Sequence, residues 1–204
     1  MAIVSTHIQA AAPTVTHSPA QSAEAGTVTE SVSSLAHRFF ERSAGRWLSQ
    51  RRYYTPNVHN PQEVESTLTI EMLATDHPDL IALTAAHHLD AGALRSGVHI
   101  RWESCYLTAT RKPSLGATTI GVGDDDLLYR DRGFSSPEPV TAVVNFINPE
   151  TMRLVTTYGN SVFEEEIKLI GDKYRTRQTI ATRAGEEVLI GQYLETRILC
   201  APSS

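Results

Sequence analysis

The chain has 204 residues, 41% hydrophobic and 20% charged, with 18 Lys and Arg against 23 Asp and Glu. That composition suits one globular domain with a sizeable core. The net charge of −5 disfavours general nucleic-acid binding, and no apolar run reaches the length of a membrane helix.

Residues 1–32 are rich in Ala, Ser, Thr and Pro and hold no Lys or Arg. They lack an apolar period and read as a disordered tail ahead of a single domain over 33–204. The tail is not Arg-rich like a transit peptide and has no secretory apolar core, so a reducing, intracellular setting is expected. The two cysteines, Cys105 and Cys200, cannot build a disulfide framework or a cysteine zinc site.

From Ser33, the residues Leu35, Phe39 and Phe40 recur at helical spacing, with Ser33 or Ser34 as N-cap and Gly45 as the stop. HPDLIALTAAHH predicts a second short helix near 77–88, with Pro78 in its first turn and Leu80, Leu83 and Ala86 along one side. The rest reads as strands. TLTIEML alternates Leu68, Ile70 and Met72, and VHIRWESCY alternates Val98, Ile100 and Trp102 against polar residues. Seven further strand-like runs follow, separated by turn signals such as Asn148-Pro149, Gly159-Asn160, Gly171-Asp172 and Ala184-Gly185. The short spacings leave no room for crossover helices, so the chain is mainly β: an antiparallel up-and-down meander of about ten strands. Closure into a barrel removes the sheet edges and can enclose a small-molecule cavity.

Some apolar faces carry charge. In SVFEEEIKLI, Glu165 sits among Phe163, Ile167 and Leu169, and a buried carboxylate there needs a cation or a ligand. In KYRTRQTI, Arg175 and Arg177 share one face, and in GQYLETRIL, Gly191, Tyr193, Glu195 and Arg197 share another. A two-residue loop at Gly171-Asp172 turns both arginines outward; a three-residue loop sets Leu169 opposite Arg175 and Ile167 opposite Arg177, facing inward. The residues alone leave both registers open. His87-His88, the Asp124–Asp126 run and Cys105 are weak signals, and none reads as a metal site or a nucleophile.

Gly45-Arg46-Trp47 at the opening of a strand, with Arg197 in the last one, resembles the G-x-W and closing-Arg signature of lipocalin-like (calycin) barrels. FFERSAGRWLSQRRYY, TLTIEML with Asp76 and Pro78, VHIRWES, LYRDRGF, the Glu-rich strand, YRTRQT and YLETRI then follow in order. This string, over residues 35–199, resembles the S/U-type phycobiliprotein lyases of the CpcS/CpcU/CpeS group. The resemblance implies a ten-stranded lipocalin-like β-barrel with one or two short helices. It implies a bilin lyase, which attaches an open-chain bilin by a thioether to a cysteine of an apo-phycobiliprotein subunit of phycocyanin, allophycocyanin or phycoerythrin type. Phycocyanobilin is the first expectation and phycoerythrobilin the alternative, as substrate rather than resident cofactor.

The resemblance maps pocket residues onto Trp102, Arg175 and Arg177 for binding and onto Glu165 and Glu195 as the catalytic carboxylates; for a bilin so held, Tyr193 is expected to add stacking surface beside Trp102. The resemblance favours the three-residue loop. It also implies a homodimer or a heterodimer with a sister subunit, no metal, no nucleic acid, no membrane and a cyanobacterial cytoplasmic location. A bilin carrier without transferase activity and a non-catalytic subunit of a heteromeric lyase are the competing readings.

Overall fold

The computed structural model describes residues 30–107 and 112–199. The expected tail lies outside these residues except for 30–32, and Cys200 lies outside them. Among the described residues, two helices and ten strands occur in the order α1 (Val32–Ser43), β1 (Gly45–Tyr54), β2 (Gln62–Leu73), α2 (Pro78–Ala86), β3 (Ser96–Tyr106), β4 (Ser114–Val122), β5 (Leu127–Arg130), β6 (Val140–Asn148), β7 (Thr151–Tyr158), β8 (Ser161–Ile170), β9 (Tyr174–Arg183) and β10 (Glu186–Ile198). Each strand pairs antiparallel with its neighbours in the chain, and β1 also pairs with β10 to close the barrel. The expected antiparallel barrel of about ten strands is therefore the fold.

Turn geometry sets the register. Gly159-Asn160 and Ala184-Gly185 are two-residue hairpin loops with positive φ at all four positions, flanked by the pairs Tyr158↔Ser161 and Arg183↔Glu186. Such turns match the twist of the strands they join. The β8–β9 loop is longer: Ile170 pairs with Tyr174, leaving Gly171, Asp172 and Lys173 outside the ladder. Leu169 therefore faces Arg175, Ile167 faces Arg177, and both arginines point inward. Of the two registers open in the sequence, the structure adopts the one with the three-residue loop.

Helix α1 starts one residue before the expected Ser33 boundary. Its cap is Ser31, whose Oγ accepts the Ser34 N–H at 3.2 Å, in place of Ser33 or Ser34. Ala36, Phe39, Phe40 and Ser43 are buried, and the two rings join the inward side chains of the barrel in one core. Helix α2 is capped by His77 and packs on the outer surface of the barrel through Leu80 and Leu83, against Leu94 and Tyr129. Thr84, rather than the expected Ala86, completes its buried face, because i, i+3 and i+4 from Leu80 fall at 80, 83 and 84.

The start of β1 and the end of β10 are locked together where α1 meets the barrel. Trp47 is fully buried and donates its indole N–H to the Ser43 carbonyl at 2.8 Å. The Arg197 guanidinium lies 4.2 Å from the Trp47 ring centroid, and donates to the backbone carbonyls of Ala44, Arg42 and Asp172. Gly45, at φ 117, leaves the space this needs: a Cβ there would sit 3.0 Å from Arg197 Nη1. The cation–π contact and the carbonyl bonds give a concrete expectation. Arg197→Ala should lower unfolding free energy by about 2–3 kcal/mol in urea titration, and Arg197→Lys should recover less than half of it. A loss near zero would show that the helix-to-barrel junction holds without this side chain.

Candidate functional site

The barrel interior has two unlike sides. Inward residues from β2, β3, β4, β6 and β7 are mostly apolar, among them Leu68, Ile70, Val98, Ile120, Val144 and Leu154. Inward residues from β8, β9, β10 and β1 carry most of the charge, and Arg130 of β5 adds to it. The cavity between them has a volume of about 480 Å³, within the range of small-molecule sites. Phe39, Phe40, Ile100 and Trp102 line its apolar wall, and Glu165, Arg175, Arg177 and Tyr193 its polar wall.

The polar wall follows from the register. Ser49, Glu195, Arg175 and Leu169 lie side by side across β1, β10, β9 and β8. The next row inward along the strands is Arg51, Tyr193, Arg177 and Ile167. The third is Tyr53, Gly191, Thr179 and Glu165. In the first row, Glu195 accepts from Arg175 Nε on one oxygen and from Ser49 Oγ at 3.1 Å on the other. In the second, the guanidinium carbons of Arg51 and Arg177 lie 5.5 and 5.1 Å from the Tyr193 ring centroid. Arg177 then reaches diagonally to Glu165 in the third row.

Glu165 is 3% exposed and is held from two directions. Arg177 Nη2 donates to Oε1, and Arg130 of β5 donates from Nη1 to Oε2 at 3.3 Å across the interior. Burial disfavours the charge on Arg177, but Glu165, Tyr193 and Glu195 together outweigh it and raise its pKa above the ordinary arginine value. On Arg130 burial dominates and lowers the pKa; Glu165 opposes this and the like charge of Arg177 adds to it. For Glu195, burial favours the neutral acid, yet Arg175, with Arg177 and Ser49, prevails and holds the carboxyl below the usual range.

The structure brings together Glu165, Arg175, Arg177, Tyr193 and Trp102 around one cavity. Glu195 does not line the cavity. It is 0% exposed, enclosed by Arg175 and Ser49, and has no surface facing the cavity. Its place in the fold is to orient Arg175, whose guanidinium carbon also lies 5.0 Å from the Trp47 ring centroid. Trp102 lies flat over its cross-strand partner Gly116, where a Cβ would sit 2.3 Å from the ring.

Residues absent from the expected set also line the cavity: Arg130, Arg51, Tyr53 and Phe134. Phe134, on the β5–β6 loop, stacks on Phe163 at 4.6 Å between centroids and sits 4.7 Å from the Arg130 guanidinium carbon. The sequence signal for Arg130 is its spacing of two from Leu128, which places both on the inner face. Cys105 is exposed, and among the described residues no group of three or more His, Cys, Asp or Glu could hold a metal ion.

A closed antiparallel barrel around a charged and aromatic cavity defines a lipocalin-like barrel protein. Residues 36–198 match the family model described as CpeS-like protein. The chain is 51% identical over 167 residues to a Picosynechococcus sp. protein assigned as chromophore lyase CpcV, covering 81% of this chain and 82% of that one. It is 48% identical over 162 residues to a Nostoc sp. protein assigned as phycocyanobilin lyase CpcS 2, covering 79% and 89%. The structure of the S-type phycobiliprotein lyase CPES from Guillardia theta superposes with a TM-score of 0.68 at 23% identity, covering 81% of this chain and 94% of that one. The chain belongs to the CpeS-like family, the S/U-type group whose motifs its sequence carries.

Two expectations follow from the polar wall. Glu165→Ala leaves Arg130 and Arg177 buried without their counter-ion, and urea unfolding should show a loss of about 3–5 kcal/mol, with Glu165→Gln costing less. A change below about 1 kcal/mol would mean that water already solvates the pair. Burial pushes the Tyr193 phenol up to about 12, against the opposing charge of Arg177. An ordinary tyrosine ionises near ~10, so the unfolded chain releases this proton first, and the stability Tyr193 contributes falls as pH rises from there toward about 12. The difference in phenolate absorbance between the parent and Tyr193→Phe should titrate near pH 12; a midpoint near ~10 would place the ring in water.

Proposed function

We propose that this protein is a bilin–protein lyase: it binds an open-chain bilin in the barrel and promotes its attachment to a cysteine of an apo-phycobiliprotein subunit. The observation that carries this reading is the charge balance of the interior. On the polar wall Arg51, Arg175 and Arg177 stand with Glu165 and Glu195, Arg130 adds a further guanidinium from β5, and the remainder of the opposite wall is apolar and aromatic. A cavity with surplus guanidinium on one side and apolar surface on the other suits a flat conjugated ligand with anionic side groups. A bilin has that form, with two propionates and a long π-system. The names of the Picosynechococcus and Nostoc relatives support the same class.

In this reading Arg175 and Arg177 pair with propionate, and Trp102 and Tyr193 supply stacking surface. Glu165 is the cavity carboxylate that accepts pyrrole N–H bonds and favours the protonated, cationic bilin. Protonation makes the ring-A ethylidene more electrophilic. The acceptor cysteine adds as thiolate to the ethylidene carbon, the adjacent ring carbon takes up a proton, and a thioether results without oxidant or leaving group. The barrel itself supplies no nucleophile; its role is orientation and exclusion of side reactions. Glu195 is a positioning residue behind Arg175. Phycocyanobilin is the first substrate to test, and the reading places the protein in the cyanobacterial cytoplasm where such subunits mature. Among the described residues no helix is long and apolar enough to cross a membrane.

The test mixes purified protein with phycocyanobilin, and separately with phycoerythrobilin, before and after adding an apo-subunit, and ends in acid-urea. Lyase activity appears as a shifted bilin band that becomes a denaturation-resistant chromophore on the subunit, faster than with free bilin. A shifted band that stays non-covalent, with and without a sister subunit, makes the protein a carrier. Glu165→Gln should weaken bilin binding or shift the band to the blue; the parent spectrum and transfer rate would remove Glu165 from the mechanism.

A further inference from the structure

Arg130 stands apart from the arginines of the polar wall. It enters from β5, on the other side of the barrel, and is 8% exposed while lining the cavity. Its bond to Glu165 is 3.3 Å, longer than the roughly 2.7–2.9 Å of a strong charge-assisted hydrogen bond. Its Nε is buried and has no hydrogen-bond partner. Glu165, the carboxylate it bonds, is already bound on the other oxygen by Arg177. Two guanidinium groups thus share one buried carboxylate. That is costly unless a further anion is to arrive.

The main chain around Arg130 is firmly held. Its carbonyl is 2.9 Å from His87 Nε2 at the end of α2, and its amide lies in the β4–β5–β6 ladder. The side chain is held more lightly, by the long Glu165 contact and by the face of Phe134. Phe134 belongs to the β5–β6 loop, whose Gly133, Ser135 and Ser136 line the same cavity. The loop is fastened by the Ser135 N–H donating to Tyr158 Oη at 2.9 Å.

We infer that Arg130 is a ligand-carboxylate anchor: on binding it exchanges its long contact with Glu165 for a salt bridge to a carboxylate of the bound molecule, leaving Glu165 to Arg177. The inference rests on the bilin reading and names the propionate as the group recognised. The exchange conserves the number of ion pairs at Glu165 and Arg130 taken together with the ligand. It also frees one oxygen of Glu165 to accept from the chromophore. The loop carrying Phe134 lies over the guanidinium that moves, so recognition of the carboxylate is felt at the cavity wall.

The experiment compares phycocyanobilin with its dimethyl ester, which keeps the conjugated skeleton and removes the anionic charge. Affinities are read from the shifted absorption band for the parent, Arg130→Gln and Arg130→Lys. The parent should prefer the acid over the ester by at least about tenfold. Arg130→Gln should lower that preference by several-fold, the remainder resting on Arg175 and Arg177, and Arg130→Lys should fall between it and the parent. An unchanged acid-to-ester ratio in both variants would overturn the inference and make Arg130 a structural partner of Glu165 only. If Arg130→Gln does not fold, the Arg130→Lys ratio decides the question, since it keeps the charge and loses the fork. No band shift with the parent protein for either compound overturns the bilin reading itself.

Discussion

Strand β9 enters the barrel after a loop of Gly171, Asp172 and Lys173, and the number of residues in that loop decides which side chains the barrel encloses. Side chains alternate along a strand, so one residue fewer would turn Arg175 and Arg177 to solvent and bring Tyr174, Thr176 and Gln178 inside. With three, two guanidinium groups enter the interior and must find charge there, because burying them alone is prohibitive. Glu195 supplies it within the same cross-strand row, and Glu165 supplies it on the diagonal. The rest of the site follows. Ser49 takes the second oxygen of Glu195, Tyr193 lies beside Arg51 and Arg177, and Arg130 completes the shell of Glu165.

The interior that results is divided rather than uniform. The apolar wall is continuous with the core beneath α1, so it is rigid and supported by packing. The polar wall rests on hydrogen bonds between side chains on adjacent strands and is supported by register. A ligand with one apolar face and charged edges meets complementary surfaces on entering such a cavity. The pairing of buried charges before the ligand arrives keeps the empty barrel stable, and the excess of guanidinium over carboxylate around the cavity leaves it receptive to an anion.

The strand succession, the barrel and the exceptional position of Glu165 are legible in the sequence. A lone carboxylate among Phe163, Ile167 and Leu169 breaks a clear alternation, and such a break has few explanations. The face of β9 is not legible in the residues themselves. Both of its faces mix polar and apolar side chains, and Gly171-Asp172 suits more than one loop length. In β10, Val188 and Leu194 lie outside at 40% and 47% exposure while Glu195 is buried, so hydrophobicity alone points the wrong way. Alternation also gives a face but not a depth, which is why Glu195 lies behind the cavity wall rather than on it. Arg130 escapes notice because β5 spans only Leu127–Arg130, too short for a period to show. The cap of α1 falls at Ser31 because three nearby serines offer equivalent side chains and packing of Phe39 and Phe40 selects among them.

The pairing of β1 with β10 has a consequence for how the protein comes into being. Ser49, Arg51 and Tyr53 are contributed by the first strand, and Tyr193, Glu195 and Arg197 by the last. On the ribosome, the first strand waits with one edge unpaired through the synthesis of nearly the entire domain. The buried charges of β9 likewise have no complete set of partners until β10 emerges. The pocket is therefore completed only once β10 has emerged, and a nascent chain that lacks β10 leaves β1 and β9 each with an unpaired edge and Arg175 without Glu195.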